Sequence, residues 1–134
     1  MNIVFDTNVL LSATLWQGSV AQKLLFKLIN ANIPIFSSPE ILAEYKNVLK
    51  RDFAYTDQDI VQIMERVLLF LTVLTPTEKV DIIKEDPDDN KIIECALASH
   101  ANYIITYDKK HLLKIKEYCG IKLITPEQFL GIIK

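Results

Sequence analysis

Two short apolar runs in this chain end in aspartate: Ile3-Val4-Phe5 stops at Asp6, and Ile104-Ile105-Thr106-Tyr107 leads to Asp108. In an open parallel sheet the carboxyl ends of the strands form the crevice where ligands bind. An Asp there also caps a following turn or helix, which suffices for one strand end but less well for two. Glu44 is a third acid, in a helical segment beside the apolar positions Ile41, Tyr45 and Val48. It falls closer to the buried stripe than Glu40, one turn earlier. Asp86-Pro87-Asp88-Asp89-Asn90 adds three acids and an Asn at a helix start. One acid would satisfy the cap and the helix dipole there. The stretch lacks the Gly and terminal Glu of an EF-hand loop.

Carboxylates converging on one crevice repel one another and raise each other's pKa. A hard divalent cation removes that repulsion, and Mg²⁺ and Mn²⁺ prefer oxygen ligands. Such a cation acidifies a water that can attack a phosphodiester and stabilises charge on the leaving oxygen. Two cations roughly 4 Å apart would serve both sides of an in-line displacement. Other chemistries fit less well. Three glycines are too few for a Gly-rich phosphate cradle. Cys95 and Cys119 lie far apart, with no C-x-x-C and no His at ligand spacing, which argues against zinc. Both are expected to be buried, reduced thiols.

The elements that must position these acids alternate between strand and helix. Strands are expected at Ile3–Phe5, Ile33–Phe36, Val73–Leu74, Tyr103–Thr106 and Lys122–Ile124. Ser19 is a plausible N-cap for a helix over about 20–30, and Ser38-Pro39 opens another as N-cap and N1. Thr56 caps a third helix, with Ile60, Met64, Val67, Leu68 and Leu71 at helical spacing. A fourth starts at Asp86-Pro87, and Pro126 lies near the start of the last. This alternation argues for a parallel sheet covered on both faces. The 134 residues, half of them apolar and 24% charged, form one domain without linker or repeat. With 15 basic and 17 acidic residues the net charge is −2, so any nucleic-acid contact is local rather than by bulk charge. The N-terminus has no basic run typical of a signal peptide, and no apolar run approaches a membrane span. A cytoplasmic location is expected.

Ile3-Val4-Phe5-Asp6-Thr7-Asn8-Val9-Leu10, Glu44-Tyr45-x-x-Val48-Leu49, Asp86-Pro87-Asp88-Asp89-Asn90-Lys91-Ile92-Ile93-Glu94 and Ile104-Ile105-Thr106-Tyr107-Asp108 occur in that order. Together they resemble the PIN-domain ribonucleases over nearly the whole chain, and in particular the VapC-like toxins of toxin–antitoxin pairs. The resemblance implies a three-layer α/β/α fold over residues 1–134, with a parallel five-stranded sheet in the order 3-2-1-4-5. That order sets Asp6 and Asp108 at one crevice. It also implies a Mg²⁺- or Mn²⁺-dependent endoribonuclease with an RNA substrate, a cognate antitoxin partner and a homodimer. Asp6, Glu44 and Asp108 match the family's acidic positions. Many members place an Asp immediately before a segment like Lys91-Ile92-Ile93, where this chain has Asn90. Asp89 or Asp86 then supplies the missing carboxylate, with Asp89 the expected one. The expected catalytic and metal-binding set is therefore Asp6, Glu44, Asp89 and Asp108, with Thr7, Asn8, Asp86, Asn90 and Thr106 as supporting residues or further ligands.

Lys109, Lys110, His111, Lys114 and Lys116 follow Asp108 and could hold RNA phosphates, although the farther lysines read rather as a solvated, partly helical face. His100 is expected in solvent at a helix end. Trp16 and Gln17 are expected in a loop, with Trp16 in a packing role. The wide stripe from Ile60 to Leu71 is expected to be mostly core and partly a dimer surface. A rival reading, favoured by Asn90, is a catalytically weak PIN-like module that binds RNA or protein.

Overall fold

The computed structural model describes residues 1–133. A parallel sheet is formed by β1 (Ile3–Phe5), β2 (Ile35–Ser37), β3 (Leu71–Val73), β4 (Tyr103–Ile105) and β6 (Ile121–Ile124), with β5 (Glu117–Tyr118) added antiparallel at the edge of β6. The order is β3-β2-β1-β4-β6-β5. The five parallel strands thus lie in the expected sequence. The sixth strand, not expected, folds back through Cys119 and Gly120, both at positive φ (51° and 81°), as a tight two-residue hairpin turn requires. Cys119 is exposed in that turn, which corrects the expectation of two buried thiols; Cys95 is buried.

Side-chain alternation along β1 divides the core. Ile3 and Phe5 pack into one apolar cluster and Val4 into the other. The first cluster takes in α1 (Thr7–Leu15), α2 (Val20–Asn30), much of α3 (Pro39–Phe53), α4 (Asp57–Val67) and α7 (Pro126–Ile132). The second takes in α5 (Asn90–Ala98) and the short α6 (Leu112–Ile115). Helices on both sides of the sheet give three α/β/α layers.

The expected caps hold the helices. Ser19 accepts from the Gln22 amide, Ser38 from Ile41, and Thr56 and Thr125 each close a capping box. Several boundaries move. β2 begins two residues later than expected, β3 ends at Val73, and α4 ends at Val67, leaving Leu71 in the sheet. Helix α1, not expected, ends where Trp16 caps it. Trp16 is 52% exposed and meets Phe53 edge-on, with ring centroids 6.2 Å apart. His100 is exposed past the end of α5. Among the described residues no helix is long and apolar enough to cross a membrane.

Candidate active site

The site grows out of the register of β1 on β4. Phe5 pairs with Ile105, and the Asp6 amide donates to the Ile105 carbonyl at 3.0 Å. Asp6 and Thr106 therefore leave the sheet side by side. Thr106 Oγ1 donates to Asp6 Oδ2 at 2.9 Å, and the Thr7 amide donates to Asp6 Oδ1 at 2.7 Å, so Asp6 also caps α1. Asp6 is buried. Burial is the main cause pushing its carboxyl up to about 6; the bonds from Thr106 and Thr7 pull it down, while Glu44 and Asp108 push it further up.

Asp108 stands past the end of β4. Its amide donates to Thr106 Oγ1 at 3.0 Å, and its carboxylate accepts from the Lys110, His111 and Leu112 amides at 3.1, 3.3 and 3.2 Å. It thus secures the turn into α6 while its charge reaches Asp6 and Asp89. Asp89 closes a single 3₁₀ turn (Pro87–Asp89) that leads into α5. Its carboxyl is also pushed up to about 6, by burial first and then by Asp86, Asp6 and Asp108, against a contact with His111 that lowers it. His111 Nδ1 lies 3.4 Å from Asp89 Oδ2 and 3.7 Å from Asp108 Oδ2, and its Nε2 lies 3.3 Å from Glu85 Oε2. Asp86, Asp89 and His111 offer ligand atoms within 4.8 Å of one another.

Glu44 reaches the crevice from α3. Thr7 Oγ1 donates to Glu44 Oε1, and Lys91 Nζ stands 3.3 Å from the same oxygen. Lys91 is absent from the expected site. Its signal is a lysine in the first turn of a helix, where a cation opposes the dipole.

Asn90, expected as a supporting residue or further ligand, makes its side-chain bonds to the 82–87 segment. Its side chain is buried and fully bonded. Oδ1 accepts from the Ile82 and Ile83 amides at 3.0 and 2.9 Å, and Nδ2 donates to the Ile83 and Pro87 carbonyls at 3.0 Å each. This amide fastens the 82–87 segment onto α5. Asn8 is exposed on α1 and makes no side-chain bond to the acids among the described residues. Lys109 and Lys110 are exposed beside Asp108, and His111 is half-buried against the acids rather than free toward solvent.

Asp6, Glu44, Asp89 and Asp108 offer hard oxygen donors, and burial first and neighbouring carboxylates second push Asp6 and Asp89 up. That donor set fits a divalent cation of the Mg²⁺ or Mn²⁺ kind. His111 adds a nitrogen close to Asp86 and Asp89.

Comparisons with known proteins bear on the fold and the family. An uncharacterized protein of Methanocaldococcus jannaschii, MJ1680, is 29% identical over 142 residues, which cover 97% of this chain and 90% of that protein. The solved structure of VapBC2 from Rickettsia felis, bound to a DNA fragment from its promoter, matches in fold. Its TM-score is 0.66 at 18% identity, covering 92% of this chain and 97% of the matched one. The model of the PIN domain family matches residues 2–110, which include all four acids at the sheet edge. The chain, with its strand-end aspartates on a three-layer fold, therefore belongs to the PIN domain family.

Proposed function

We propose that this protein is a Mg²⁺- or Mn²⁺-dependent endoribonuclease, one nuclease unit over residues 1–134, acting in the cytoplasm as the toxin of a type II toxin–antitoxin pair. The observation that carries this reading is the meeting of Asp6, Glu44, Asp89 and Asp108 at the carboxyl edge of the sheet, with Asp6 and Asp89 both raised to about 6. These four would hold the cation, and Thr7 and Thr106 orient Glu44 and Asp6. The bound cation supplies charge neutralisation, polarisation of the phosphoryl group and activation of the attacking water.

The chain's own residues do the rest. Thr106 fixes Asp6 and the Asp108 backbone through one hydroxyl, so both acids keep a constant relation. Lys109 and Lys110 stand exposed next to Asp108, where they would meet RNA phosphates, consistent with local rather than bulk attraction. The antitoxin partner is supported by the VapBC2 likeness. A groove of about 600 Å³ between α1, α2 and α4, with Phe26, Ile63 and Phe70 on its walls, is the apolar surface such a partner would cover. Asn90, which favoured a weak binding module, is explained by its structural bonds and gives that alternative no support.

Incubation with a mixture of structured RNAs tests the reading. Cleavage is expected with Mn²⁺ and none with EDTA. Absence of cleavage, together with no rise in melting temperature on adding Mn²⁺, overturns it.

A further inference from the structure

Lys91 is placed where helix stability does not ask for it. It occupies the first turn of α5, at the positive end of the dipole, in a turn with no acid of its own, just past Asp88 and Asp89. Its side chain is only 15% exposed, so its stem is laid into the fold and its ammonium delivered to Glu44, 3.3 Å away. Glu44 receives Thr7 on the same oxygen. Thus one carboxylate of the site is bonded by a neutral hydroxyl and by a cation belonging to the chain itself. Lys91 and Glu44 also line a cleft of about 670 Å³ with Arg51 and Lys79 and with further acids, among them Asp88 and Glu94, so the ammonium has space to move beside Glu44.

We propose that Lys91 is a resident counter-ion: it occupies Glu44 in the metal-free protein, and when a divalent cation takes Glu44 its ammonium is freed to pair with an RNA phosphate. The inference rests on the reading of Glu44 as a cation ligand. Two cations on one carboxylate oxygen repel, so Lys91 and the metal compete for Glu44. Once displaced, the ammonium has a buried stem and a short reach, and an RNA phosphate entering the cleft competes for it with Asp88 and Glu94. No bond is made or broken by Lys91; it acts by charge and position.

Calorimetric titration with Mn²⁺, comparing wild type, K91M and K91R, reads the competition directly. Met keeps the stem and removes the charge. K91M is expected to bind Mn²⁺ about two- to fivefold more tightly, the size of a partly exposed ion pair, while K91R stays near wild type. RNA cleavage at saturating Mn²⁺ reads the second half: K91M raises KM several-fold, and K91R restores it. A purely structural lysine would not give effects of opposite sign on metal and RNA. If K91M does not fold, K91Q carries the same comparison. Wild type that binds Mn²⁺ with the same affinity as a folded K91M overturns the inference and leaves the nuclease reading standing. Wild type that binds no Mn²⁺ overturns both.

Discussion

Thr106 and Asp6 are 100 positions apart in sequence and joined by one hydrogen bond of 2.9 Å. The same Thr106 oxygen accepts the Asp108 amide at 3.0 Å, so a single buried hydroxyl ties two acids from neighbouring strands to each other. T106V keeps the shape and removes both bonds. It leaves the buried Asp6 Oδ2 and the Asp108 amide without the Thr106 hydroxyl, at a cost of about 1–3 kcal/mol. T106S should recover most of that stability. Denaturant unfolding of the three proteins in EDTA measures it.

Asp6 itself should be a source of instability without metal. Its rise from 3.8 to about 6 corresponds to about 3 kcal/mol between its protonation states. Above pH 6 both folded and unfolded chains are ionised at Asp6, and the folded state carries the full penalty. As pH falls from about 6 toward 4, the folded state takes up its proton first and the penalty fades. D6N removes the charge and keeps the acceptor for Thr7. It should therefore be more stable than wild type in EDTA at pH 7, and the two should converge near pH 4. Chemical denaturation at both pH values checks the sign.

A cation should reverse that balance. Mn²⁺ binds the folded crevice and not the unfolded chain, so a hundredfold excess over Kd should raise Tm by about 10 °C at pH 7.5. Protons compete for Asp6 and Asp89, both near 6, so the gain should shrink as pH falls through 6 to 5. Thermal melts with Mn²⁺ and with EDTA at the two pH values show whether it does.

Asn90 should matter to the fold and not to the cation. N90A removes a buried amide that makes four hydrogen bonds and should cost about 3 kcal/mol. N90D sets a carboxylate against the Ile83 and Pro87 carbonyls. It should destabilise the protein as well, with no gain in Mn²⁺ affinity. Calorimetry on folded N90D showing tighter Mn²⁺ binding would put Asn90 back among the ligands.

The parts of the fold that sequence made legible are those decided by local chemistry. Ser19, Ser38-Pro39, Thr56 and Pro126 mark helix starts because a hydroxyl or a fixed φ acts within one turn. Helix α1 escaped because Val9, Leu10, Leu11 and Ala13 are all buried, which erases the helical stripe. Strand β5 escaped because two residues, Glu117 and Tyr118, are too few for alternation to show.

At the site, strand-end position was enough to single out Asp6 and Asp108, since a parallel sheet aims such residues at one edge. Choosing between Asp89 and Asp86 was harder, and both offer ligand atoms close to His111. One residue along a helix turns the side chain by about 100°. The 3₁₀ turn over Pro87–Asp89 sets that phase, leaving Asp89 toward the acids and Asn90 toward the 82–87 segment. The Lys91 contact depends on α5 meeting α3, a long-range relation that spacing along the chain does not record.

The central claim is that the acid crevice is a cation-dependent centre for RNA hydrolysis and not a set of structural caps. The most direct measurement is RNA cleavage by wild type and D6N in Mn²⁺, beside their unfolding in EDTA. The account predicts that D6N is at least as stable as wild type at pH 7, binds Mn²⁺ more weakly and loses most cleavage. A folded D6N that cuts RNA at the wild-type rate would contradict it.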